Sequence, residues 1–248
     1  MRIAPTDGRI CYRSPRESMR LDRLLTHHPR WSRRHVLTLL RQQQVYVNQQ
    51  VCQNPLFEVT QFERVEAAGE LIQAGKNAHY WMLNKPAGVI SATSDPIHPV
   101  ALSLLPCELQ SELHIAGRLD KASTGLLLFT NDGRWSRRIT EPAEKKPKQY
   151  LVTLANPIDP NTAARFAEGI YFAYEGITTS PAELEQLSRH QARLTIYEGR
   201  YHQIKRMFGR FRNPVIGLQR LSMGAIQLDP TLSEGQARPL TAAEIALV

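Results

Sequence analysis

Cysteine is scarce in this chain: three residues in 248, at Cys11, Cys52 and Cys107. The number is odd, no pair has CxxC spacing, and none stands beside a histidine at metal-ligand spacing. A disulfide framework and a cysteine–histidine metal site are therefore excluded. The adjacent His27 and His28 would point to different faces of a helix rather than to one metal. A reduced, cytoplasmic chain without a metal is the expectation. No run of about 18 apolar residues occurs, so no bilayer-spanning helix is expected. Met1 to Ser18 is charged and lacks an apolar stretch, so no secretory signal is expected there. Walker and Rossmann glycine patterns are missing as well, and no nucleotide cofactor is indicated. Lysine is absent from residues 1 to 60, which hold ten arginines and four acidic residues.

What is present suits a folded protein. Hydrophobic residues make up 42% and charged residues 22%, which argues against disorder and against collagen-like repeats. At about 150 residues per domain the length allows one or two domains. The net charge is +8 and the pI about 9.6, a surplus that suits a polyanionic partner.

Met1 to Glu17 has no periodicity and reads as a flexible basic tail. Ser18 can cap a helix starting at Met19, where Leu21, Leu24, Leu25 and His28 recur at helical spacing, and Pro29 ends it. Ser32 can cap a second helix with an apolar stripe of Val36, Leu37 and Leu40. Val45 and Val47 alternate as a strand, and Val51, Val59, Val65 and Ala67 suggest further short strands. Two helices and a small sheet thus occupy 18–75, with a polar boundary at Gly69 to Lys76.

Beyond it, Tyr80 to Asn84 reads as a strand running into a Lys85-Pro86-Ala87-Gly88 turn. Leu126 to Thr130 is a buried strand by composition. A helix is expected from Arg134 to Ile139 and a strand from Tyr150 to Leu154. A helix over Thr162 to Glu168 has Gly169 as its C-cap. Arg193 to Tyr197 is a strand, His202 to Phe208 a helix, and Thr241 caps a last helical turn. Helices and strands mix without strict alternation, which predicts an α+β fold over 76–248. From Arg189 to Arg220 there are eight Lys or Arg and one acidic residue, Glu198.

Two sets of segments carry a resemblance. Met19-Arg20-Leu21-Asp22-Arg23-Leu24-Leu25, Ser32-Arg33-Arg34 and Val45-Tyr46-Val47-Asn48 resemble the RNA-binding domain first seen in bacterial small-subunit ribosomal protein four, here called S-four-like. Gln44 and Gln50 stand where that domain usually has glycine. Leu83 to Gly88, Gly117-Arg118-Leu119-Asp120, Lys148-Gln149-Tyr150-Leu151-Val152 and Glu198 to Met207, in that order, resemble the RsuA-type pseudouridine synthases. The resemblance covers Met19 to Val248. It implies a catalytic domain on a mixed, mostly antiparallel sheet, preceded by the S-four-like helix–sheet domain. It implies isomerisation of a uridine in ribosomal RNA, with no cofactor and no metal.

Carried over residue by residue, the family's catalytic aspartate corresponds to Asp120 and its active-site tyrosine to Tyr150. Its cation beside the aspartate corresponds to Lys205, and the basic residue that holds the RNA to Arg118. For Lys205 a phosphate contact is the competing reading, and for Tyr150 an ordinary core position. RNA contacts are expected from Arg20, Arg23, Ser32, Arg33, Arg34, Arg41 and Asn48 in the first domain. In the second they are expected from Lys85, Arg200, His202, Gln203 and Arg206, with Lys85 and Pro86 also matching a motif beneath the cleft. A glycoside hydrolase generally needs two carboxylates because water must be activated; here the detached base is recaptured, so one Asp is consistent with the reaction. Ser94 to Pro99, Gly133 to Thr140 and Arg200 to Phe208 look most like the branch that acts on 16S rRNA, whereas Phe211-Arg212-Asn213 departs from it. A 23S site, and a non-catalytic assembly factor on the same scaffold, remain the alternatives. The expected partner is ribosomal RNA or an assembly particle, bound by a monomer.

Overall fold

A computed structural model describes residues 18–248; the expected tail, 1–17, lies outside them. The chain divides into two compact units that meet at Ala78/His79.

The first unit opens with β1 (Met19–Arg20), α1 (Leu21–Thr26) and α2 (Arg33–Arg41), followed by β2 (Val45–Val47), β3 (Gln50–Val51), β4 (Glu58–Val59), β5 (Val65–Ala67) and β6 (Glu70–Gln73). Four of these strands form an antiparallel sheet in the order β3-β2-β5-β6, while β1 pairs with β4. Leu21 and Leu25 of α1 and Val36 and Leu40 of α2 bury their side chains with Val45 and Val65, as the helical spacing predicted. Three expectations need correction. Ser18 does not cap α1: Met19 and Arg20 are strand-paired to Val59 and Glu58. The first free N–H groups of α1, on Leu21 and Asp22, donate instead to the carbonyls of Phe57 and Pro55 at 2.8 and 3.0 Å, which replaces a side-chain cap. The helix also stops at Thr26, before Pro29. The boundary expected at Gly69 to Lys76 overlaps a sheet strand, Glu70–Gln73, and the compact units divide at Ala78/His79.

The second unit is built from β7 (Tyr80–Lys85), β8 (His114–Ala116), β9 (Thr124–Thr130), α3 (Gly133–Thr140), β10 (Lys148–Leu154), α4 (Thr162–Glu168), β11 (Tyr171–Phe172), β12 (Ile177–Thr178), β13 (Glu183–Gln186), β14 (Gln191–Ile196), α5 (Gln203–Gly209), β15 (Val215–Met223), β16 (Ile226–Gln227), β17 (Ala237–Pro239) and α6 (Ala242–Ala246). Its main sheet runs β13-β14-β10-β15-β9-β7-β17, with β8 on β9 and β16 on β15. Every pairing is antiparallel except β9 with β15. The mixed, mostly antiparallel sheet is as the resemblance implied.

Both faces of the sheet are covered. Leu127 and Phe129 pack with Val152, Phe166, Ile204 and Phe208 on one side. Leu126 and Leu128 pack with Met82, Trp135, Ile139 and Met223 on the other. That explains why Leu126 to Phe129 reads as an unbroken apolar run. The single parallel joint is tight. Gly125 sits at φ +95°, and a Cβ there would lie 2.3 Å from the carbonyl oxygen of Arg220; only glycine fits. In register, Tyr150 on β10 faces Arg220 on β15, and Arg220 faces Gly125 on β9. The loop carrying Asp120 enters the sheet at that same level.

Candidate active site

The loop Gly117–Ser123 is held almost entirely through its backbone. Ser91 Oγ donates to the Leu119 carbonyl at 2.8 Å and accepts from the Leu119 N–H at 3.0 Å. The wholly buried Lys85 donates from Nζ to the carbonyls of Pro86 at 2.9 Å, Ser123 at 2.8 Å and Lys121 at 3.4 Å. Arg220, also buried, donates from Nε to Leu126 O at 2.8 Å, from Nη1 to Arg118 O at 3.2 Å and from Nη2 to Gly117 O at 3.3 Å. Asp120 lies between these anchors, and its own carbonyl accepts from Ser123 N–H at 3.0 Å. Two buried cations thus brace the loop from beneath. Burial pushes the Lys85 amine down to about 8, with Asp120 and Glu234 pulling the other way and Arg220 adding to the depression. Burial, with Arg220 nearby, also lowers the Lys148 amine.

Above the loop opens a cleft of about 460 Å³ lined by Arg118, Asp120, Tyr150, Arg200, His202 and Lys205, among others. Among the described residues Asp120 is the sole carboxylate in that lining. Its Oδ2 lies 3.5 Å from His202 Nε2 and 4.0 Å from Lys205 Nζ, and its side chain is one-third exposed. Tyr150 lines the same cleft while remaining only 7% exposed, so it offers the cleft little more than one patch of ring. Tyr150 is thus a core residue that also lines the cleft. Lys205 stands beside Asp120 with its side chain one-third exposed.

The structure gathers Asp120, Tyr150, Lys205, Arg118, Arg200 and His202 in one place. In the second unit, two residues expected as RNA contacts are positioned otherwise. Lys85 is fully buried, with its amine turned to backbone carbonyls, so it cannot reach solvent-borne RNA. Gln203 is 3% exposed, and its amide joins Glu198 Oε1 at 2.8 Å to the Arg200 N–H at 3.0 Å; it shapes the turn that presents Arg200 and His202. Arg206 forms an ion pair with Glu175 and covers the Phe172 ring at 3.8 Å.

In the first unit Arg23, Arg33, Arg34 and Arg41 are exposed. Arg20 is paired with Asp22 at 2.5 Å. Ser32 caps α2 by accepting from His35 N–H at 3.3 Å. Asn48 adopts a left-handed turn, φ +49°, and its Oδ1 accepts from Arg64 N–H at 2.9 Å. Ser32 and Asn48 therefore act on the chain's own backbone. The sequence reading missed Arg220 and Ser91. For Arg220 the sequence offered no clear signal, since Gln219 and Ser222 stand near it in a mixed run.

Among the described residues, no group of three or more histidine, cysteine or acidic side chains is arranged to hold a metal ion, and no helix is long and apolar enough to cross a membrane.

Among the described residues the cleft joins one carboxylate, a cation beside it and a largely buried ring in a mostly basic polar lining. Comparison with known proteins assigns the chain that carries it to a family. Residues 79–209 match the RNA pseudouridylate synthase family and residues 19–65 match the S4 domain. The ribosomal small subunit pseudouridine synthase A of Pseudomonas aeruginosa is 50% identical over 93% of this chain and 100% of its own length. Its counterpart from Escherichia coli K12 is 43% identical over the same shares. A crystal structure of a pseudouridylate synthase superposes with a TM-score of 0.68 at 41% identity, covering 93% of this chain and all of that one. The chain belongs to the RNA pseudouridylate synthase family and is an isomerase with an S4 domain.

Proposed function

We propose that this enzyme converts a uridine of ribosomal small-subunit RNA to pseudouridine, with Asp120 acting at the bond between sugar and base. The observation that carries the reading is the one carboxylate that the described residues bring to the cleft, Asp120, with Lys205 at 4.0 Å and Tyr150 in the same lining. The reaction breaks a glycosidic bond, turns the uracil and rejoins it through carbon. No water is consumed, so no second carboxylate is required. Lys205 places a cation beside the Asp120 carboxylate. Tyr150 gives the flipped uracil a ring to lie on. Arg118 and Arg200 meet phosphates at the rim. The near full-length identity to small-subunit synthases supports the choice of small-subunit over large-subunit RNA.

In this proposal the S4 domain holds RNA backbone through exposed Arg23, Arg33, Arg34 and Arg41, whose planar donors suit phosphate. A purely binding role on the same scaffold would leave Asp120, Tyr150 and Lys205 without a reason to be gathered. The test is to map pseudouridine in the ribosomal RNA of cells lacking this protein, and to incubate the purified enzyme with transcribed small-subunit RNA. Loss of one small-subunit pseudouridine, restored by wild type and not by Asp120→Asn, is the expected result. An unchanged map refutes the reading.

A further inference from the structure

Tyr201 lines the cleft beside Asp120 yet is 77% exposed, in contrast to the enclosed Tyr150. Its ring stacks on that of His202 with centroids 3.9 Å apart and planes 19° apart. His202 is the residue whose Nε2 stands 3.5 Å from Asp120. The turn beneath is fixed in several ways: His202 sits at φ +50°, the buried Gln203 ties Arg200 to Glu198, and Arg206 Nη1 donates to the Tyr201 carbonyl at 3.4 Å. An apolar ring is thus held out toward solvent by a built support, with one face covered by an imidazole and the other open.

We propose that Tyr201 is a stacking seat for the RNA base adjacent to the target uridine. The proposal rests on the RNA-modifying reading above and deepens it. Chemistry on a uracil within folded RNA needs the nucleotide turned out of its stack, which strips its neighbour of a stacking partner. An exposed aromatic ring replaces that partner whatever the base, because every base has a π-face. Arg118 and Arg200, in the same lining, are placed for the flanking phosphates, so ring and cations together suit a nucleotide rather than an apolar peptide. The stack on His202 links occupancy of this seat to the imidazole beside Asp120.

The experiment uses a small-subunit RNA stem-loop built around the uridine that wild type modifies, with 2-aminopurine replacing either its 5′ or its 3′ neighbour. Binding of wild type should quench the fluorescence at one of the two positions. Tyr201→Phe should retain the quench. Tyr201→Leu and Tyr201→Ala should lose it, raise Kd about tenfold and reduce kcat/KM mainly through KM, with melting temperatures near wild type. The proposal is overturned if neither neighbour is quenched by wild type, if Tyr201→Ala quenches and binds as wild type does, or if Tyr201→Phe behaves like Tyr201→Ala. Absence of any modified uridine in small-subunit RNA would instead fail the functional reading. The probe is then built around the uridine the enzyme does modify, and the same three outcomes decide on Tyr201.

Discussion

The two units use arginine in opposite ways. In the first, Arg23, Arg33, Arg34 and Arg41 stand in solvent on or beside two short helices. In the second, Arg220 is 1% exposed and donates to the carbonyls of Gly117, Arg118 and Leu126, on both sides of Asp120. Exposed arginines contribute little to folding and are open to phosphate; even a surface ion pair is worth only roughly 0–1 kcal/mol to stability. A buried guanidinium satisfies several carbonyls, and its removal leaves them unpaired. The charge surplus therefore has at least two origins, and only the exposed one reports on a polyanionic partner.

The comparison can be broken or sharpened by substitution, from the largest effect downward. Asp120→Asn should abolish product while RNA affinity stays within about tenfold, ~1.4 kcal/mol. Measurable turnover by the purified variant would remove Asp120 from its role. Arg220→Met should cost about 3 kcal/mol of stability, since three carbonyls lose their donors in a buried place. Urea denaturation measures this, and a loss under about 0.5 kcal/mol would show that the brace is dispensable. Lys205→Met should lower the single-turnover rate at saturating RNA while leaving the salt dependence of binding nearly intact. If Lys205 instead served phosphate, affinity and salt slope would fall and the saturated rate would remain.

Arg33→Ala with Arg34→Ala is the counterpart to Arg220. Stability should change by less than about 0.5 kcal/mol, affinity should fall about tenfold, and the slope of log affinity against log salt should flatten by about 0.7–1 per arginine. An unchanged slope would mean that these side chains touch no phosphate.

A smaller effect separates a third kind of arginine. Arg238 is ion-paired with Glu244 and Asp229, each at 2.7 Å. Arg238, with help from Thr241, holds the Glu244 carboxyl down to about 2. Bonds from Thr231, then Arg238, hold Asp229 at about 2. Because both folded values lie below the ordinary ones, the unfolded chain takes up protons first as acid is added. The stabilisation is complete above about pH 4.5 and is lost as pH falls toward 2. Arg238→Gln should lower stability at neutral pH and flatten the acid limb between those values, as followed by thermal melts across pH. An acid limb identical to wild type would refute the linkage.

The sequence made some of this legible and hid the rest for physical reasons. β9 and the first-unit helices were readable because burial imposes a pattern on several residues at once. Their ends were not: Ser18 has the chemistry of a cap, but pairing of Met19 and Arg20 with a strand about 40 residues later took its place. β15 went unread because Val-Ile-Gly-Leu-Gln-Arg-Leu-Ser-Met mixes polar and apolar residues, and the polar ones answer to tertiary partners. Within the cleft, Asp120, Tyr150 and Lys205 were named through an ordered resemblance, each motif being weak alone. Lys85, expected as an RNA contact, is instead buried, because the carbonyls of residues 86, 121 and 123 draw its amine inward.

The glycine at the parallel joint has a consequence for how this enzyme can diverge. Every residue other than glycine adds a Cβ at position 125, and that carbon has no room against the Arg220 backbone. Point mutation at the base of the Asp120 loop is therefore closed to selection, whichever codon change occurs. If the cleft meets RNA as proposed, variation in substrate choice is expected at its side chains Arg118, Arg200 and Tyr201 rather than at this joint. A saturation library at position 125 should return glycine alone among active clones, while a library at position 201 should return the other aromatic residues as well.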